Sequence, residues 1–211
     1  MLEFKEVFKF TLKNINLKVE KGDFCILCGP GGSGKTTVLR LAYGDICPDK
    51  GSVYVLGSSL TATTVNSIRA KIGFIPQEGR LFEEKDVYSN LSFPLKLLNK
   101  YEPSLVISTL KKLHLYELKD TKAQHLSSSE RQRLKIAQAF AKNPLLILAD
   151  EPRANLDPGA EKEILALFKN INVLGATVVM ATARDPLAYF TESRRAFHTR
   201  IITLNKGEII S

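Results

Sequence analysis

The chain has little cysteine, no long apolar run and no repetitive tract, and each absence narrows what it can be. Three cysteines in 211 residues, Cys25, Cys28 and Cys47, are too few and too odd in number for a disulfide-stapled secreted domain. They point to a reducing, intracellular setting. Cys25 and Cys28 have C-x-x-C spacing, but on a strand positions i and i+3 face opposite sides, so the pair reads as two buried core thiols. The longest apolar stretches, such as residues 145–149, fall far short of the roughly 20 residues that span a bilayer. If a membrane matters, a partner crosses it. The first residues, Met-Leu-Glu-Phe-Lys-Glu, carry charge and lack an apolar core, so no secretory signal is expected. With 44% hydrophobic and 25% charged residues and no low-complexity segment, disorder is not expected either.

What is present suits one large domain, or a core with an inserted subdomain. The 30 basic and 22 acidic residues leave a net charge of +8, compatible with nucleic acid or an anionic surface. The basic residues are scattered. Only Arg194, Arg195 and Arg200, beside Phe197 and His198, cluster locally, either as a solvated face or as a site for anionic lipid headgroups. Short strand-like runs fill residues 1–28, Ile15-Asn-Leu-Lys-Val19 alternating with period two. Residues 51–57 and 72–76 read as further strands. Helical character runs from about Val87 to Ala141, where Leu105, Leu110, Leu113 and Leu118 fit one apolar stripe and residues 134–140 continue the theme. The all-apolar run 145–149 reads as a parallel strand buried on both faces. A helix over 160–169 and strands over 176–180 and 201–204 follow. Strands alternating with helices indicate a mostly parallel α/β sheet with an inserted helical segment.

Residues 29–37, Gly-Pro-Gly-Gly-Ser-Gly-Lys-Thr-Thr, match the phosphate-binding pattern G-x-x-x-x-G-K-[ST]. The run Phe24-Cys-Ile-Leu-Cys28 reads as a strand before it, and Thr37-Val-Leu-Arg-Leu41 as a helix after it. Gly29, Gly31, Gly32 and Gly34 let the backbone curl round a phosphate chain, with Ser33, Lys35, Thr36 and Thr37 at a helix N-terminus that already attracts anions. Lys35 can reach the β- and γ-phosphates, and Thr36 can ligate Mg²⁺. At the far end of the 145–149 strand stands Asp150, suited to hold Mg²⁺ opposite Thr36. Glu151 follows, placed to orient or deprotonate a water. Pro152 breaks the strand and Asn155-Leu-Asp-Pro158 forms a turn.

In this pattern the chain resembles the nucleotide-binding subunits of ABC-type ATPases along essentially its whole length. Residues 29–37 resemble the Walker A loop and 145–151 the Walker B strand. Gln77, in Phe74-Ile-Pro-Gln-Glu78, resembles the Q-loop glutamine that touches Mg²⁺ and water. Asn155-Leu-Asp157 resembles the D-loop, and Phe10 is the candidate aromatic that stacks on adenine. The compact length and the wording of residues 151–157 and 178–182 are similar to the cell-division FtsE and lipoprotein-release and macrolide-export branch. The resemblance implies a P-loop NTPase core with an N-terminal antiparallel β subdomain, residues 1–86 and 145–211, and a helical subdomain, 87–144. It also implies ATP and Mg²⁺ as cofactors, and a head-to-tail dimer that sandwiches two ATPs. A transmembrane partner, FtsX-like or a permease, then holds the chain peripherally on the cytoplasmic face of the cell membrane. Residues 78–90, with Leu81 and Phe82, are the candidate docking surface.

Two departures bear on the chemistry. The signature motif reads Leu126-Ser-Ser-Ser-Glu130, so Ser127 survives while Ser128 and Ser129 replace glycines. A Cβ obstructs close approach of the helix start to a γ-phosphate, whereas a hydroxyl can donate to it; Ser127 as a helix cap needs no catalysis. The switch position reads Ala181-Thr-Ala-Arg-Asp185, so Ala183 stands where the family carries histidine. Arg184 beside it points the other way on an extended segment, and His198 lies too far along the chain. Loss of one positioned group costs on the order of 10²–10³ in rate. The expectation is ATP binding with slow, partner-dependent hydrolysis catalysed by Glu151, Gln77 and Lys35. A nucleotide-gated clamp and a soluble ABC-type protein acting on nucleic acid are the alternatives. The second is weaker, because such proteins carry two cassettes or a long coiled coil.

Overall fold

The computed structural model describes residues 1–184 and 199–210. It is built from two sheets with a helical layer. In the first sheet β1 (Leu2–Lys9) lies between β2 (Leu12–Val19) and β4 (Lys50–Val55), with β5 (Ser58–Ser59) at the edge, all antiparallel. The second has six strands. β3 (Phe24–Cys28) is flanked by β8 (Thr177–Thr182) and β9 (Thr199–Asn205). Beyond β8 come β7 (Leu146–Asp150) and β6 (Ile72–Ile75), all parallel, while β10 (Glu208–Ile209) closes the other edge antiparallel to β9.

Strand alternation decides what each face of the six-stranded sheet touches. Phe24, Ile26, Cys28, Ile147, Ala149, Val178 and Met180 face the helical layer. Cys25, Leu27, Leu146, Leu148, Val179 and Ala181 face α1 (Lys35–Tyr43) and the antiparallel sheet. Cys25 and Cys28 therefore sit in opposite cores, both buried and both free, as the strand spacing implies. Desolvation pushes the Cys25 thiol up to about 12.

After the short α2 (Val65–Arg69), the stretch between Val87 and Phe140 holds α3 (Val87–Leu97), α4 (Pro103–Lys112) and α5 (Ser128–Phe140). Asp86 caps α3 by accepting from the Ser89 N–H at 2.6 Å. The expected single stripe through Leu118 does not hold. His114 takes a left-handed φ of 55°, α4 stops at Lys112, and Leu118 sits in a separate 3-10 turn. The later helix is longer than its apolar pattern suggests. As α6 it runs Pro158–Val173, because Asp157 accepts from the Gly159 and Ala160 N–H groups and Pro158 suits the first turn. Among the described residues no helix is long and apolar enough to cross a membrane.

Candidate nucleotide-binding and catalytic site

The phosphate loop is shaped by close approach of its backbone to β9 and β2. Gly29 has φ 151°, and a Cβ there would lie 2.0 Å from the Leu204 carbonyl oxygen. Gly34 has φ 105°, and its Cβ would meet Leu12 Cδ2 at 2.4 Å. Only glycine fits both demands. Gly31 and Gly32 have open space in front of them instead. α1 then begins without a side-chain cap and without an acidic residue in its first turn, so its leading N–H groups and positive dipole end remain available to an anion. Lys35 is 7% exposed, and its Nζ donates to the Gly29 and Pro30 carbonyls at 2.7 and 3.0 Å. Ser33 is buried with Oγ unpartnered, while Thr36 is exposed and Thr37 half-buried.

Register carries the second half of the site to the same edge. Cys28 pairs with Thr182, and Ala181 pairs with Asp150, so β8 separates the phosphate-loop strand from β7 and all three end together. Asp150 is 3% exposed and its Oδ1 has no hydrogen-bond partner. Burial raises its pKa, opposed by the Thr36 hydroxyl and the Lys35 ammonium. A buried carboxylate with an unmatched oxygen beside a threonine hydroxyl is a donor set that fits a hard divalent cation.

Glu151 adopts φ 45°, unusual for a residue with a Cβ and a strain of order 1 kcal/mol. Its N–H donates to the Ala181 carbonyl at 3.0 Å and its carbonyl accepts from Ala154 N–H at 3.0 Å. This left-handed reversal ends β7 at Asp150. Gln77 is exposed two residues past β6, whose Ile75 pairs with Ala149, which puts it beside Asp150's end of the sheet. Phe10 is 72% exposed in the turn joining β1 and β2, with Lys9 Nζ 4.9 Å from its ring centre. Two residues on, Leu12 is the side chain against Gly34, so the Phe10 turn borders the phosphate loop.

The structure does not bring every candidate together. Ser127 caps α5 in a reciprocal box with Glu130, accepting from its backbone N–H at 3.4 Å while the carboxylate accepts from Ser127 N–H at 2.8 Å. Ser128 and Ser129 follow on the first turn. α5 packs on β6, α3, α4 and α6, and α1 on β4, β7 and β8, so signature and phosphate loop ride on different elements of one chain. Ala183 follows Thr182 directly and is exposed. Arg184 pairs with Glu161 in α6 rather than turning to the phosphate edge. Arg194, Arg195, Phe197 and His198 lie outside the described residues; Arg200 donates to the Lys18 carbonyl at 2.6 Å. Sequence reading missed the buried charges Arg153 and Glu161. The signal was there: Glu161 interrupts the stripe formed by Ala160, Ile164, Leu165 and Phe168 on α6.

A parallel sheet whose first strand opens into an uncapped, glycine-lined helix start, with a buried carboxylate on a second strand, defines a P-loop nucleoside triphosphatase. The ABC transporter family model matches residues 12–154. The cell division ATP-binding protein FtsE of Mycobacterium tuberculosis is 35% identical over 99% of this chain and 90% of its own length. The FtsE of Bacillus subtilis is 31% identical over 100% and 95%. Among solved structures, a dimeric post-hydrolysis state of the ATP-binding cassette MJ0796 bound to ADP and Pi superposes with TM-score 0.83 at 31% identity, covering 100% of this chain and 97% of that one. The chain belongs to the ABC transporter ATP-binding family and is an ATPase of the FtsE-like kind.

Proposed function

We propose that the chain is the peripheral ATP-binding subunit of a membrane complex, bound to the inner face of the cell membrane through a transmembrane partner. Two copies sandwich two ATPs head to tail, each phosphate loop facing Ser127 and Ser129 of the other. In this reading Lys35 and the loop N–H groups hold the phosphates and Phe10 stacks on adenine, while Thr36, Asp150 and Gln77 would hold Mg²⁺, which would supply positive charge against the phosphates. Glu151 orients the attacking water and accepts its proton. The observation that carries the reading is the buried, unpartnered Oδ1 of Asp150 beside Thr36 at the carboxyl edge of the sheet.

The partner surface is revised in one respect. Leu81 is 7% exposed and belongs to the helical core, while Phe82 is 49% exposed. Phe82 stacks edge-on against Phe93 at 5.1 Å, and the two floor a groove of about 230 Å³ rimmed by Lys85 and Lys96. An amphipathic helix with acidic flanks suits it.

Ala183 and the signature serines favour slow turnover, and in the limit a clamp that binds without hydrolysing. Turnover and ATP binding measured on wild type and Glu151→Gln separate the two. The expected result is slow wild-type hydrolysis reduced by at least about 10²-fold in the variant, with binding retained. Turnover unchanged in Glu151→Gln removes the assigned base.

A further inference from the structure

Beside the phosphate edge lies a set of interior charges that neither nucleotide nor cation binding uses. Glu161 is 0% and Arg153 2% exposed. Arg153 Nη1 stands 3.8 Å from Glu161 Oε2, and its Nη2 donates to Thr182 Oγ1 at 3.3 Å. Arg184 reaches the other Glu161 oxygen through Nη1. Its backbone N–H also donates to Thr182 Oγ1, at 3.2 Å. One threonine hydroxyl thus receives a guanidinium from the turn after β7 and the main chain of the segment after β8. One carboxylate on α6 holds both arginines.

Aliphatic side chains would fill the space of Arg153 and Glu161 without the desolvation that two buried charges cost, so stability alone does not account for the set. Its location does. Thr182 ends β8, the strand between the phosphate-loop strand and β7, and Ala183 follows at that edge. The Ala181 carbonyl accepts the Glu151 N–H, so any shift of β8's end is passed to Glu151. The methyl group of Ala183 offers no hydrogen bond or charge with which that position can anchor itself. The ties come from its neighbours.

We propose that Arg184, Glu161 and Arg153 are positioning residues for ATP hydrolysis, fixing the backbone of residues 182–184 and with it the setting of Glu151. Arg184 is the detachable arm, since its side chain is 48% exposed and Arg153 still neutralises Glu161 when it leaves. This rests on Glu151 as the group that orients water. A misplacement of about 1 Å at such a group costs up to roughly 10²-fold in rate.

The test compares the full chain with Arg184→Ala and Arg184→Lys in steady-state ATP hydrolysis, ATP binding, thermal melting and hydrogen exchange of the 178–184 segment. Arg184→Ala is expected to lower kcat by about 10- to 100-fold with KM within about twofold, and to speed exchange in that segment about tenfold or more. Arg184→Lys, which keeps a charge for Glu161, should recover most of the rate. Unchanged kcat, or unchanged exchange where turnover is too slow to read, overturns the proposal. So does a fall in melting temperature with no change in kcat, which marks a purely structural role. Glu151→Gln is run in parallel. If it leaves turnover intact the base assignment has failed, whereas failure of Arg184→Ala alone leaves that assignment standing.

Discussion

Replacing Asp150 with asparagine keeps its shape and removes a buried charge. The carboxylate is 3% exposed, Oδ1 is unmatched, and burial raises its pKa above the ordinary 3.8, with Thr36 and Lys35 only partly offsetting that. A carboxyl whose folded pKa lies above its unfolded one keeps its proton longer in the native state. Between those two values the native state binds more protons, so folding stability falls as pH rises, and above them the ionised group carries the whole cost. In the proposed reading a divalent cation bound with the nucleotide would relieve it. Asp150→Asn without ligand should therefore melt at or above the wild-type temperature at pH 7. Ligand at about 100 times its Kd stabilises by about 2.7 kcal/mol. For a chain of this size 1 kcal/mol moves Tm by about 2–4 °C. Saturating ATP with Mg²⁺ should thus raise the wild-type Tm by about 5–11 °C. In the variant the melt with ATP and Mg²⁺ should collapse onto the melt with ATP and EDTA. Differential scanning fluorimetry of both proteins under those conditions is sufficient. A ligand-free Tm several degrees below wild type, or a Mg²⁺-dependent rise that survives the substitution, would refute the reasoning.

Gly29→Ala forces a Cβ to 2.0 Å from the Leu204 carbonyl at φ 151°, so urea unfolding should show a loss on the order of 3 kcal/mol or more. An unchanged midpoint would show that β9 yields at little cost. Maleimide should label only exposed Cys47 in the native chain, because Cys25 and Cys28 are buried and the Cys25 thiol is pushed up to about 12. Rapid native labelling of all three would contradict the two-core arrangement.

The phosphate loop and the strand ending in Asp150 were legible because their signals are local, although Leu145, read as its first residue, lies outside β7 and is half-exposed. Strand, glycine loop and helix start follow one another within residues 24–41, and an all-apolar run ending in Asp150 states its own burial. The opposite orientation of Cys25 and Cys28 was legible for the same reason, since alternation belongs to the strand itself. Leu118 was misread because periodicity cannot see His114 turning left-handed and ending the helix. Ser127 shows both sides: capping was one of two roles its residue type allowed, and the reciprocal bonds to Glu130 show that it does cap.

Sequence by itself determined the loop that can wrap a phosphate, the carboxylates at a strand end, and the substitutions at Ser128, Ser129 and Ala183. Only the tertiary structure decided that β8 lies between the two halves of the site, that the Phe10 turn borders Gly34 through Leu12, and that Arg153, Glu161 and Arg184 meet at Thr182. Backbone dihedrals, caps and periodicity are fixed by neighbours along the chain. Strand order and buried ion pairs depend on which distant surfaces exclude water together, and no short stretch of sequence contains that information.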